Sequence, residues 1–428
     1  MLIVVGHRWQ EIEKGLLTLK NCYNLQQITA VFCSNFVSGG RKVERHIAHL
    51  DIDDFFVACE RAVNSKLERL PLIIGGGKDR GLVAACSPEA YTYGVRRMMP
   101  IGLALQLCPN AKTLRADLDL YTKYSHTITE IIKEESPVTE KAGIDEFYLD
   151  LTGMDRFFGC YKWTDELIQK IKKESGLSAS FGLSVNKTVS KIVDDEGRQT
   201  GKREIAAAEV RPFLNPLSIQ KIPLVGSETY QLLSRIGIRK IQNLAETPLE
   251  LLQELLGKSG KEIWKRSHGI DTEPVEAYSE RKSISTEHTF EKDTIDVSRV
   301  KLLLVAMVEK LAFQLRQEGW LASTVHIRIR YANFDTQNKQ CKISYTSCDH
   351  LMIKQVNDLF DKTYDRRMRL RLIGLKFSGL IRGAYQINLF DDTTEQVALY
   401  QAIDKLKRRF GFNAVVRCAG MGAELHKD

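Results

Sequence analysis

Two acidic stretches carry the side chains best suited to chemistry. The first runs Ile47-Ala48-His49-Leu50-Asp51-Ile52-Asp53-Asp54-Phe55-Phe56. It opens as a short apolar run, the pattern of a buried strand, and breaks at Asp51. Beyond the break Phe55, Phe56, Cys59, Ala62 and Val63 space as one face of a helix. A carboxylate at such a strand end is held rigidly and can reach a cleft. Asp51, Asp53 and Asp54 could equally cap the helix and favour its positive end. The second stretch, Ile144-Asp145-Glu146-Phe147-Tyr148-Leu149-Asp150, reads as a strand interrupted by adjacent carboxylates. In a regular strand Asp145 and Glu146 point to opposite faces, so both reach one cation only near a turn or bulge. If this hairpin lies beside the strand ending at Asp51, the three carboxylates form a hard, oxygen-only site. Such a site suits Mg²⁺, and two such ions are the usual apparatus for nucleotidyl transfer.

With Leu50-Asp51-Ile52-Asp53-Asp54-Phe55-Phe56 and Ile144 to Asp150 in view, the chain resembles the Y-family, translesion DNA polymerases of the bacterial polymerase IV type. Further matching segments are Tyr93-Gly94-Val95-Arg96 with Met99-Pro100, Gly182 to Lys187, and Lys282 to Phe290. The resemblance implies an α+β multidomain fold: a right-hand polymerase with palm, small fingers, helical thumb and α/β little finger. It implies template-directed translesion synthesis from a primer 3′-hydroxyl by two-metal-ion catalysis, without proofreading, on primer–template DNA and deoxynucleoside triphosphates. Two Mg²⁺ ions would be held by Asp51, Asp145 and Glu146 with the carbonyl of Ile52. Phe56 matches the steric gate that excludes a ribose 2′-hydroxyl, and Phe55, Phe56 and Arg198 are the nucleotide contacts implied. Where the family has a Tyr and an Arg on the triphosphate, this chain has Pro88 and Tyr91; where it has Lys-Pro-Asn-Gly, this chain reads Arg198-Gln199-Thr200-Gly201. The departure implies a weakened nucleotide site. Asp194 and Asp195 add charge unfavourable to a triphosphate, and Arg96, Lys187 and Lys191 are the cations available to compensate.

The elements that would position these groups follow in order. Residues 1–44 have no counterpart in the resemblance and read as an extension, disordered or mis-started. Residues 45–62 and 118–212 read as the palm, a sheet with helices on one face. Residues 63–117 read as the fingers. Residues 213–275 turn to short helices, the thumb. There Ile222 to Ser227 resembles a helix-hairpin-helix and Leu256 to Gly260 a second such turn, aiming backbone N–H groups near Gly226 and Gly257 at DNA phosphates. Ordinary loops between packed helices would look the same. Residues 276–286 read as a linker and 287–383 as the little finger. Its strand Thr324 to Arg330 alternates Val325, Ile327 and Ile329 with His326, Arg328 and Arg330, and Arg369 and Arg371 lie in a second basic strand. A basic sheet face can follow a duplex backbone by charge alone. In the tail, 384–428, Gln386, Leu389 and Phe390 resemble the peptide that docks polymerases on the sliding clamp.

Composition limits the alternatives. At 428 residues the chain needs two to four domains. Its net charge of +8 permits a nucleic-acid partner without demanding one. Nine cysteines include no C-x-x-C pair, which reads as reduced thiols in the cytoplasm rather than a disulfide scaffold or zinc site. No apolar run approaches the ~20 residues of a membrane span, and no oligomerisation seam is visible, so a monomer is expected. The second reading, prompted by Pro88 and Tyr91, is a weak or inactive relative serving as a DNA- and clamp-binding recruitment module.

Overall fold

The structure, a computed structural model, describes residues 44–77, 80–136, 138–154, 159–201, 203–277, 281–364, 368–383 and 393–420. These fall into two compact units that divide near residues 278–279. Both are mixed α and β, as the resemblance implies.

The first unit is built on a four-stranded antiparallel sheet, with strands in the order β5 (Thr139–Lys141), β6 (Glu146–Asp150), β1 (Ile47–Ile52), β7 (Ala179–Ser184). In β1 alternate residues take opposite faces. Ala48, Leu50 and Ile52 join a core with Phe147, Leu149, Phe181 and Leu183. Helices α4 (Leu118–Glu135) and α5 (Cys160–Ser175) close that core through Ile128, Ile132, Leu167 and Ile171. His49 and Asp51 face the other way, towards helix α6 (Lys187–Thr200). The sheet is therefore covered on both faces, not on one as its pattern suggests. The inward-facing His49 explains why: it needs buried polar partners, and only a helix on that side supplies them.

Gly182 sets how closely α6 approaches. It lies opposite His49 in the β1–β7 register. A Cβ there would sit 2.2 Å from the Ser190 carbonyl oxygen and 2.4 Å from the Asp194 nitrogen. Only a residue without a side chain lets the helix backbone lie against the strand. Asn186 caps the helix, its side chain accepting from the Val189 N–H at 3.0 Å.

A three-stranded sheet, β3 (Val83–Cys86), β2 (Leu72–Gly75), β4 (Lys112–Arg115), carries the small helices α1 (Phe55–Val63), α2 (Pro88–Thr92) and α3 (Ile101–Leu107) around it. Short helices fill 210–267, ending with α10 (Leu249–Leu256) and α11 (Lys258–Ser267). The second unit is a four-stranded sheet, β10 (Thr336–Thr346), β9 (Trp320–Tyr331), β11 (Leu370–Arg382), β8 (Ser283–Thr294), with α12 (Val297–Glu318) and α13 (Asp349–Thr363) on one face. Strand β8 begins inside the stretch read as a linker to 286, because Ile284 is buried in this core.

Replacing Gly182 by Ala would force α6 off the sheet. We expect Gly182→Ala to cost about 3 kcal/mol or more, the upper end for overpacking against backbone, and to lower the urea midpoint accordingly. An unchanged midpoint would show that the close approach is not a constraint.

Candidate active site

Asp51 and Glu146 are direct cross-strand partners in the β1–β6 register, so their side chains share one face. Asp145 precedes β6 in a bend, and its carbonyl accepts from the Ile52 N–H at 3.1 Å. That bend frees Asp145 from strict alternation, and its charge acts on Asp51. The three carboxylates therefore gather at one end of the central strands. Capping does not account for them: the residue in the N-cap position of α1 is Asp54, and its side chain makes no capping bond.

Helix α6 lays a row of charged side chains over this end. His49 is 1% exposed and sits between two acids, with Nε2 2.7 Å from Glu146 Oε1 and Nδ1 3.0 Å from Asp194 Oδ2. Lys191 bonds to the same Glu146 oxygen, and the Tyr148 hydroxyl approaches it at 3.4 Å. Arg198 bonds to Asp51 Oδ2 and lies 3.9 Å from both Asp53 and Asp194. The titration behaviour follows from these contacts. Burial pulls the His49 ring down, but its bonds to Asp194 and Glu146 outweigh that and raise it. The His49 bond, with Lys191, holds Glu146 down at about 2 against the opposing effect of burial. Burial pushes Asp51 up to about 6; Asp145 and Asp194 reinforce this and Arg198 only partly opposes it.

The residues present fit a divalent cation. Every contact described for Glu146 falls on Oε1 and that for Asp51 on Oδ2, which leaves Glu146 Oε2 and Asp51 Oδ1 as acceptors without a described partner. Burial is the main cause of the raised Asp51, and a cation beside it would favour its ionised form. Among the described residues no group of three or more His, Cys, Asp or Glu side chains is drawn together closely enough to hold a metal ion by itself. An open, oxygen-only set is what a magnesium-type ion uses when water and phosphate complete its shell.

Above this end, Phe56 is half-buried and packs on Tyr121 with ring centroids 4.6 Å apart. Phe55, expected beside the nucleotide, is 3% exposed and packs in the core. Helical periodicity places the two rings about 100° apart, and only one can face a cleft. Beside the three-stranded sheet Pro88 opens α2 at a position where its missing N–H costs nothing. Tyr91 is exposed, with the Arg96 guanidinium 3.5 Å over its ring.

Comparison with known proteins gives this arrangement its setting. Residues 50–195 match the impB/mucB/samB family, and residues 281–389 match the C-terminal domain of that family. The chain is 34% identical over 378 residues to the DNA polymerase IV of Dehalococcoides mccartyi (strain CBDB1), spanning 87% of this chain and 96% of the relative. The DNA polymerase IV of Halorhodospira halophila is 32% identical, spanning 82% of this chain and 99% of its own. The chain belongs to the Y family of DNA polymerases. Among solved structures, a Y-family DNA polymerase chimera of Dbh and Dpo4 superimposes with a TM-score of 0.72 at 26% identity, over 79% of this chain and all of that one. An insertion ternary complex of Dbh DNA polymerase aligns with a TM-score of 0.58 at 25% identity, over the same shares. The protein is a DNA-directed DNA polymerase, and these relationships lend no support to the alternative of a recruitment module.

The polymerase's remaining candidate residues fall as follows. Gly226 occupies the N-cap position of helix α8 (Ser227–Arg235). Gly257 is the single residue between α10 and α11, whereas Gly260 lies inside α11, where a Cβ would sit 2.1 Å from the Leu252 carbonyl oxygen. The second turn is thus one residue long, and Gly260 serves helix packing. In the second unit Val325, Ile327 and Ile329 are buried and Arg328 and Arg330 point to the opposite face, as their alternation implies. Arg328 pairs with Glu287 at 2.7 Å, Arg330 Nε donates to the Thr336 hydroxyl, Arg369 precedes β11, and Arg371 lies at the bulge of that strand, 4.4 Å over Phe334. Gln386, Leu389 and Phe390 lie outside the described residues, as do residues 1–43. No helix among the described residues is long and apolar enough to cross a membrane.

Asp194 is buried against His49, and its charge also acts on Asp51, Asp53 and Arg198. Lys187 is engaged with Glu140 at 2.5 Å, which removes it from the cations available to compensate. Sequence reading passed over His49, although a polar residue at an inward strand position is a usable signal. It also missed that Lys191, Asp194 and Arg198, spaced three and four apart, share one helix face.

The Asp51 carboxyl titrates near 6 in the folded chain, above its ordinary 3.8. A raised acid disfavours ionisation in the fold, so stability from this group is full below about 4 and is lost as pH climbs through 6. In chelator at pH 7 we expect Asp51→Asn to be more stable than wild type by on the order of 1–2 kcal/mol, seen as a higher thermal midpoint, with the order reversed in saturating Mg²⁺. A lower midpoint in chelator would show that Arg198 already balances the charge.

Proposed function

We propose that this polymerase extends a primer 3′-hydroxyl on damaged templates, without proofreading, using two Mg²⁺ ions held by Asp51, Asp145, Glu146 and the Ile52 carbonyl. The observation that carries this reading is the gathering of three carboxylates at one strand end with Glu146 Oε2 and Asp51 Oδ1 left open. When bound, such ions favour deprotonation of the primer hydroxyl and offset charge on the triphosphate.

The chain's own residues do the positioning. His49, Lys191 and Tyr148 fix one oxygen of Glu146, so its other oxygen has a defined direction. Arg198 offers a planar fork of donors beside Asp51 and is suited to exchange that carboxylate for a phosphate. Phe56, steadied by Tyr121, excludes a 2′-hydroxyl by volume. Arg328, Arg330, Arg369 and Arg371, with the turns at Gly226 and Gly257, hold primer–template DNA through its phosphates. Gln386, Leu389 and Phe390 dock a sliding clamp, a reading supported by the sequence pattern alone. We propose a monomer acting in the cytoplasm.

Primer extension with Mg²⁺ and all four deoxynucleotides tests this reading. Relative to wild type, Asp145→Ala/Glu146→Ala should lose ~10³-fold or more in rate. The variant Pro88→Tyr/Tyr91→Arg should gain about tenfold in kcat/KM by restoring a charge-assisted phosphate contact. Extension that survives loss of both carboxylates would overturn the proposed catalytic site.

A further inference from the structure

We propose that Asp194 is a positioning residue for the active site: acting through His49, it orients Glu146 so that Oε2 faces the metal position. The inference rests on the reading that Glu146 is a metal ligand. Asp194 itself touches neither substrate nor the reacting atoms.

Three observations carry it. The side chains of His49 and Asp194 are 2% and 1% exposed, and they meet at 3.0 Å. The opposite ring nitrogen meets Glu146 Oε1 at 2.7 Å. A carboxylate only accepts, so Asp194 fixes Nδ1 as a donor and with it the plane of the ring. The ring plane in turn fixes where Nε2 presents itself to Glu146. This is the arrangement by which outer groups orient metal ligands elsewhere, with the imidazole as intermediary rather than ligand.

The second observation is that Asp194 Oδ1 is buried without a described hydrogen-bond partner. A half-satisfied buried carboxylate is costly, and a smaller neutral residue would fill the position with less penalty. Its presence is explained if the oxygen that is satisfied, Oδ2, does something a neutral residue would do poorly. The third observation is Gly182. By admitting the α6 backbone opposite His49, it brings Asp194 within reach of a strand residue 145 positions away in sequence.

A purely structural role would move stability alone, so the test reads metal binding. The probe is Mn²⁺, titrated into the full-length protein on a primer–template whose primer lacks a 3′-hydroxyl, with free Mn²⁺ counted by electron paramagnetic resonance. Thermal midpoints confirm that each variant is folded. Asp194→Asn and His49→Gln should each weaken Mn²⁺ binding by ~10–100-fold. Asp194→Asn should add nothing further in the His49→Gln background, because both changes break one chain of contacts. Glu146→Gln serves as the reference. If Glu146→Gln leaves Mn²⁺ binding unchanged, the metal-ligand reading falls and the proposal with it. If Glu146→Gln weakens binding while Asp194→Asn binds as wild type does, the proposal alone is overturned. Multiplying losses in the double variant would also overturn it, since Asp194 would then act independently of His49.

Discussion

The contact on which the site depends is the lodging of helix α6 against strand β7 at Gly182. A Cβ at that position would lie within 2.4 Å of two helix backbone atoms. The close approach sets the height of Lys191, Asp194 and Arg198 above β1, and each of the three then meets a carboxylate or its immediate partner. The strands supply acids at their ends; the helix supplies what holds those acids in place. The partners lie far apart in the chain, 45 residues for Lys191 and Glu146 and 147 for Arg198 and Asp51, and one glycine fixes their separation in space.

Charge at this end of the sheet is deliberately uneven in its effect. Glu146 takes bonds from His49, Lys191 and Tyr148 on one oxygen and is held strongly acidic. Asp51 bonds to Arg198, with His49 as a weaker positive influence, and burial raises it to about 6. One carboxylate is thus fixed in direction and the other left in need of positive charge. An added divalent ion would meet that need, and it would also release Arg198 for a phosphate. Gathering like charges in a partly buried site in this way costs stability.

Much of this was legible in the sequence, for physical reasons. Asp51 and the Asp145–Glu146 pair stand out because charge interrupts strand patterns. The bend before Glu146 was required as soon as two adjacent residues had to serve one cation. The alternation in β9 gave its buried and basic faces directly. What could not be read was partnership across long separations. Asp194 read only as added negative charge, because its burial against His49 depends on helix packing. Lys187 seemed available because its pairing with Glu140 is tertiary. Phe55 and Phe56 differ only in the phase of a short helix, and the second phosphate turn dissolved into helix because Gly260 is used for packing. The segment read as a linker lost its last residues to β8 because Ile284 is needed in the core. The similarity to Y-family polymerases identifies the family, but it does not reveal the His49–Asp194 connection.

The central claim is that Asp51, Asp145 and the outward oxygen of Glu146 together hold the catalytic metals. Anomalous diffraction from Mn²⁺ in crystals of the polymerase with primer–template DNA and an unreactive nucleotide tests it most directly. The account predicts density contacting Asp51 and Asp145 and reaching Glu146 through Oε2, with Oε1 still bonded to His49 and Lys191. Mn²⁺ bound away from these carboxylates, or bound to Glu146 through Oε1, would contradict it.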